Sequence, residues 1–309
     1  MIEIRLRSLP FKAGRVIVIY SACGVLFSGI WLLAAAVYFV TVPFSMGGIV
    51  MLKKCGSEDK GILTGYLSQE KEYNTFLLAD VNTYGFDTDC QDVWMEWEEG
   101  RCTGVFLRFY TNLLVYTQER ELNAGSLDFI LKNYEIIVIM GKSSLLAPME
   151  AKLEKEYRCC QKQLYRLGSR ELLKTEFREV SQAGGADVDD VFAFLGSIQE
   201  ISGLYTSKDM IRDRIANNDG IHLIIRKDGR IIAHGNSTTG SEHTIMIGGV
   251  ATEPAYRRQG YASCVVSALC AHILAQGKTP CLFTGEGADA LFTGLGFEKL
   301  GGWTTLERI

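Results

Sequence analysis

The chain carries nine cysteines but has no Cys-x-x-Cys pair; they are scattered from Cys23 to Cys281, with Cys159 and Cys160 adjacent. A disulfide framework or a zinc site would show regular spacing, so this pattern points to free thiols in a reducing compartment. Histidines are few: four in all, none four residues from another, which gives no metal motif. An excess of basic residues is also missing. The net charge is −4 and no strongly basic stretch offsets it, which argues against a nucleic-acid partner. There is no GxxxxGKS/T run, so the chain is not a P-loop protein, and no GxGxxG follows the first strand of a βαβ unit, which disfavours a nicotinamide cofactor.

What remains is an ordinary globular mixture, 47% hydrophobic and 22% charged over 309 residues, enough for about two domains. The exception is the N-terminus, where no residue from Val16 to Val42 is charged. A bilayer core takes about 20 apolar residues, so this stretch is long enough to span one. Three readings fit it: a membrane anchor, a long signal peptide, or upstream sequence before a true start at Met46 or Met51. Arg5, Arg7, Lys12 and Arg15 precede the run, which by the positive-inside bias would leave the large domain outside the cytoplasm, an odd place for an enzyme needing a cytosolic donor.

From Met51 the texture is that of a globular α+β protein. Ser57 reads as the N-cap of a helix, a second helix is expected over 72–81, and three short strands over 93–97, 104–110 and 112–116. A helix over 125–132, a strand over 135–140 and a helix over 143–155 complete a first domain, 51–165. A polar stretch, 179–186, reads as the inter-domain crossing, and Asp187, Asp189 and Asp190 behind it as helix N-terminal acids rather than a metal site. The second domain, 166–309, is expected to run helix, helix, three strands, helix, strand, helix, strand. Asp228-Gly229 is the strongest hairpin signal in it.

The informative segment is Gly248-Gly249-Val250-Ala251-Thr252-Glu253-Pro254-Ala255-Tyr256-Arg257-Arg258-Gln259-Gly260-Tyr261-Ala262. It leaves a strand, turns at Pro254 and enters a helix through a basic loop. Successive N–H groups in such a turn form an anion site, reinforced by the dipole of the helix behind it. Gly260 lets backbone approach a diphosphate, and Arg257 and Arg258 supply counter-charge.

The run Arg257-Arg258-Gln259-Gly260-Tyr261-Ala262 resembles the Q/R-x-x-G-x-G/A motif of the GNAT acyltransferases. Ala288 to Phe297 is similar to the AxxLYxxLGF segment of the same family, and the two together cover residues 185–309. Residues 76–87 resemble the start of a two-domain bacterial subgroup whose N-terminal half is a degenerate GNAT-like partner. The resemblance implies a mixed, splayed sheet flanked by helices, and an N-acetyltransferase using acetyl-CoA as donor, a small-molecule or peptide amine as acceptor, and no metal. The catalytic domain would be cytoplasmic, and membrane-anchored if 16–42 is a genuine span. Val250, Ala251 and Thr252 would pair with the pantetheine arm, and Arg257, Arg258, Gln259, Gly260, Tyr261 and Ala262 would hold the diphosphate. Phe292 stands where the family commonly has a tyrosine that protonates the leaving thiolate, so a binding-only protein is the rival. Glu242, His243 and Glu253 are the candidates for the base, with Glu242 and His243 preferred because they begin the strand that leads to the cofactor.

Overall fold

The computed structural model describes residues 50–309 apart from 119–120, 177–178, 206, 217–219 and 286, with Ile49, Leu204, Thr239 and the segments Arg5–Leu9, Val16–Ser21, Gly24–Phe27, Ile30–Leu33 and Val37–Pro43 described in backbone only. Within the apolar run 16–42 the backbone alone is described, in strands Val16–Ser21, Gly24–Phe27, Ile30–Leu33 and Val37–Pro43, and the choice among anchor, signal peptide and misplaced start lies outside the described residues. No described helix is long and apolar enough to cross a membrane.

The chain forms two compact units, and neither is a single run of sequence. The first takes the chain up to Glu70, Asp80–Cys160 and Thr304–Ile309; the second takes Lys71–Ala79 and Gln161–Trp303. The boundary expected at 165/166 falls at 160/161 and is crossed by two further segments: 71–79 belongs to the second unit and the last six residues, 304–309, to the first.

In the first unit the strands Ile49–Lys54, Gln91–Glu98, Arg101–Phe109, Asn112–Tyr116 and Val138–Lys142 lie side by side in that order. The last two are parallel, and the other neighbours antiparallel. A parallel pair needs a crossover, which helix Ala124–Asn133 provides. Its core joins sheet residues Leu52, Trp94, Phe106 and Leu113 to Ile130 and Leu146 on the helices.

The second unit orders its strands Tyr157–Leu167, Thr279–Thr284, Thr244–Thr252, Arg230–Gly240, His222–Lys227 and Val180–Gln182. Side chains alternate across this sheet, as a period of two requires. Leu223 and Ile225 join the core beneath helix Tyr261–Ala275, whereas Ile224 joins the core with Val191, Leu195 and Ile211 from helices Val188–Ser197 and Lys208–Ala216. The long helix buries Val265, Val266, Leu269, Cys270 and Ile273, a one-sided stripe at helical spacing. The Asp228-Gly229 hairpin has both residues at positive φ, +49° and +79°, as a two-residue turn between twisted strands demands.

The order helix, helix, three strands, helix, strand, helix thus occurs twice. The two copies also share an opening device. In the first, the carboxylate of Asp59 accepts from Gly56 N–H at 3.0 Å; in the second, Asp187 accepts from Gly184 N–H at 2.8 Å. Ser57 is therefore not the cap: the cap position is Gly56, and the polar group that serves it comes from Asp59 three residues on. Asp187 also receives Arg226 Nη2 at 2.8 Å, as does Asp190, and the Gly184 amide, with Arg226 behind it, holds the Asp187 carboxyl below the usual carboxylate range. Strand Tyr157–Leu167 has no counterpart among the expected elements, and Val180–Gln182, within the expected crossing, is a short strand paired with His222–Lys227.

Candidate functional site

The strand Thr244–Thr252 is the framework of the site. On one side it pairs in parallel with Thr279–Thr284, from Thr244↔Thr279 to Ile247↔Leu282, and there the pairing stops. The strand itself runs on to Thr252, still paired on its other side with Arg230–Gly240 as far as Ala233↔Thr252. Residues 248–252 therefore present an open backbone edge where the two parallel strands separate. Buried backbone groups require partners, so such an edge is a place for an extended ligand to pair.

At the point of separation the strand bulges. His234 faces Ala251 and Asn236 faces Gly248, so Gly249 and Val250 together oppose the single residue Gly235. Gly249 adopts φ +56°, the left-handed conformation that glycine takes without steric cost. A Cβ on it would lie 2.4 Å from the Tyr205 hydroxyl and 2.5 Å from Asn236 Oδ1, so space as well as conformation requires glycine here.

Beyond Thr252 a single turn, Pro254–Tyr256, leads to the loop. Arg258 sits at φ +64° and Gly260 at φ +88°, which turns successive amides to one side. Gly260 is the N-cap of helix Tyr261–Ala275 and offers no side-chain acceptor. The first backbone bond of that helix is Cys264 N–H to Gly260 O at 3.0 Å, so the amides of Tyr261, Ala262 and Ser263 have no intrahelical acceptor. Arg257 is folded back, donating from Nε to Thr252 O at 3.1 Å and pairing with Glu200 at 3.0 Å. Gln259 Nε2 reaches Ala255 O at 3.3 Å.

The first unit makes the contrast. Its crossover helix, Ala124–Asn133, is capped by its own Asn123, whose Oδ1 accepts from Ser126 N–H at 3.0 Å. That end already has a side-chain acceptor, and no glycine stands at the cap. The expected consequence is structural alone: Asn123→Ala should cost about 1 kcal/mol of stability. Urea unfolding measures it, and an unchanged midpoint would show that the cap contributes nothing.

Beneath the bulge lies a polar group that the sequence reading did not single out. Tyr205 Oη donates to Asn236 Oδ1 at 3.0 Å, His234 Nδ1 lies 2.8 Å from Gly249 O, and His234 Nε2 lies 2.9 Å from His222 Nδ1. The carbonyl can only accept, so His234 carries its proton on Nδ1. Its Nε2 then accepts, and His222 also carries its proton on Nδ1. His222 Nε2 is left as a buried lone pair with no partner among the described residues. Burial pushes His222 down to about 3, helped by His234 and Arg214. It pushes His234 down to about 4 against the opposing hydrogen bond to Gly249. Both rings are neutral near pH 7.

Of the sequence candidates, Val250, Ala251 and Thr252 lie on the open edge, and Arg257, Arg258, Gln259, Gly260, Tyr261 and Ala262 form the loop and helix start. Glu242 and His243 fall in the turn before Thr244, and His243 gives its carbonyl to Thr279 N–H at 2.9 Å. Five residues of strand, about 17 Å, separate that turn from the bulge. The structure does not bring these two side chains to the loop. Glu253 lies in the turn after the strand, its carbonyl accepting from Tyr256 N–H at 2.8 Å. Cys270 is packing material, its thiol pushed up to about 12 by burial. Phe292 is buried, edge-on to Phe297 with centroids 5.9 Å apart. Among the described residues no group of three or more His, Cys, Asp or Glu could hold a metal.

The signal that could have revealed the polar group is Gly248-Gly249 inside a strand, since glycine there marks a bulge or a close backbone approach. Its partners, 12 residues apart at His222 and His234, meet only through the hairpin.

Comparison with known proteins agrees with this geometry. Residues 216–306 match the family model described as GNAT acetyltransferase. No curated protein matches the chain. The fold is similar to that of a GCN5-related N-acetyltransferase from Sphaerobacter thermophilus, with TM-score 0.58 and 11% identity over 84% of this chain and 95% of that one. It is also similar to a tandem GNAT protein from the clavulanic acid biosynthesis pathway, with TM-score 0.51 and 12% identity over 83% of this chain and 97% of that one. The chain therefore has an α+β GNAT fold with a GNAT-like partner in tandem.

Proposed function

We propose that the protein transfers an acetyl group from acetyl-CoA directly to the amine of a small-molecule or peptide acceptor. The observation that carries this reading is the open strand edge running straight into an uncapped helix start. Val250, Ala251 and Thr252 would pair with a pantetheine arm. The amides from about Arg258 to Ala262, with Arg257 and Arg258, would neutralise a diphosphate. The donor supplies an activated thioester carbonyl when bound. The chain's residues would orient it and guide the amine; as the C–N bond forms and the C–S bond breaks, the amine's proton passes to a base and coenzyme A leaves as its thiolate. Glu242 and His243 serve that role only through a chain of water, given their place at the far end of the strand. The free thiols of Cys55, Cys90, Cys102, Cys160, Cys264, Cys270 and Cys281 support a cytoplasmic catalytic domain.

A second reading, a non-catalytic acyl-CoA-binding protein, is favoured by Phe292, which cannot protonate a leaving thiolate. The two are separated in sequence. Calorimetry on the full chain should show micromolar acetyl-CoA binding that Gly260→Glu abolishes, because a carboxylate at the cap repels the diphosphate. A cofactor bound at 100 times its dissociation constant should also stabilise the fold by about 2.7 kcal/mol. No binding by the folded wild-type chain defeats both readings, whereas binding without turnover on a panel of amines leaves the second.

A further inference from the structure

The Gly249 peptide is held from the side of the sheet rather than along its ladder. Its oxygen belongs to the bulge and takes the Nδ1–H of His234 at 2.8 Å. A trans peptide is planar, with its C=O and N–H pointing in opposite directions. Gly249 O and Val250 N–H share one such peptide, so an oxygen turned to His234 turns the Val250 amide away from strand Arg230–Gly240. That is the side where pairing with Thr279–Thr284 has ended. Nothing in glycine's own conformational preference would keep it there, since Gly249 occupies positive and negative φ with similar ease.

We propose that His234, held in its Nδ1–H tautomer by His222, is a positioning residue that aims the Val250 amide at the acyl carbonyl of the bound donor. The inference rests on the acyltransferase reading. Its parts are each fixed by something seen. His234 is fully buried and His222 nearly so, so water does not compete for the bond between the two rings. In the 2.9 Å contact His222 Nδ1–H donates to His234 Nε2; the reverse arrangement would strip Gly249 O of its donor and put an unpartnered N–H on the buried His222 Nε2. Tyr205 and Asn236, bonded to each other at 3.0 Å, stand with His234 close to the Gly249 Cα and leave no space for a side chain there. An amide aimed at a developing oxyanion is worth far more in a dry site than in water, and loss of one such donor costs about 100-fold or more in rate.

The test is infrared spectroscopy of acetyl-CoA carrying a 13C-labelled thioester carbonyl, bound to the full chain. The wild-type protein should lower the C=O stretch relative to free acetyl-CoA. His234→Leu should lose that shift while keeping its affinity for coenzyme A, which the loop holds. His234→Asn, whose side-chain N–H stands near the place of Nδ1, should recover part of it. A merely structural role would weaken coenzyme A binding as well and would show no rescue. An undiminished shift in His234→Leu overturns the inference. A wild-type chain that binds no acetyl-CoA instead overturns the acyltransferase reading beneath it. Should His234→Leu fail to fold, the wild-type Val250 amide proton decides alone: it should move further downfield with acetyl-CoA than with coenzyme A, and equal shifts overturn the assignment.

Discussion

Gly249→Ala is expected to destabilise the second unit by about 2–5 kcal/mol, which places it among the costliest single changes in the chain. Two effects add. A non-glycine residue held in the left-handed region costs about 1–2 kcal/mol. The new methyl would also lie 2.4 Å from Tyr205 Oη and 2.5 Å from Asn236 Oδ1, both buried and bonded to each other. Moving either atom breaks that bond and leaves a buried polar group unsatisfied, about 1–3 kcal/mol more. Gly260→Ala separates the two effects. Its φ of +88° carries comparable strain, but nothing lies within 4 Å of the added carbon. Urea unfolding of the two variants side by side should therefore show the Gly249 change as clearly the worse. Equal losses would mean that Tyr205 and Asn236 yield freely and that the wall behind the bulge is not rigid.

That wall is the part of the site least visible in the sequence, and the reason is physical. The loop from Arg257 to Ala262 was legible because its chemistry is local: glycine, adjacent arginines and a following apolar helix all fall within one short run. The hairpin at Asp228-Gly229 was legible for the same reason. His222 and His234 are on separate strands, and a register shift between Ile225 and Arg226 helps bring their rings together. No spacing rule finds such a pair. Strand Tyr157–Leu167 escaped because its burial is not alternating: Arg158 and Cys159 are exposed, while Leu164 and Tyr165 are both buried. Segment Lys71–Ala79 reads as an ordinary helical stretch of the first half, yet Thr75 Oγ1 bonds Thr244 Oγ1 at 2.7 Å and Phe76 stacks on Phe283, both within the second unit. Local pattern predicts what an element is, and long-range partners decide where it belongs.

The buried histidines also predict how stability depends on pH. An unfolded histidine titrates near 6.5, whereas burial holds His222 near 3 and His234 near 4. Below pH 6.5 the unfolded chain therefore binds protons that the folded chain refuses, and stability must fall as pH falls towards the folded values. Each histidine contributes about 1.4 kcal/mol per pH unit through that window. For the pair this amounts to about 4 kcal/mol between pH 6.5 and 4.5, a large part of the 5–15 kcal/mol typical of a whole domain. Other groups act elsewhere. Asp187, Asp189 and Glu200 have lowered folded values and give up their stabilisation only at more acid pH. Asp80, raised to about 6 by burial, works in the opposite sense, but it belongs to the first unit. The His222→Asn/His234→Asn double variant removes both titrating rings and should flatten the slope for the second unit by about 2.7 kcal/mol per pH unit. Urea unfolding from pH 6.5 to 4.5 on both proteins measures the difference. Parallel slopes would mean that both rings take up protons in the folded chain as readily as in the unfolded one, and the tautomer assignment that keeps Gly249 in place would fall with them.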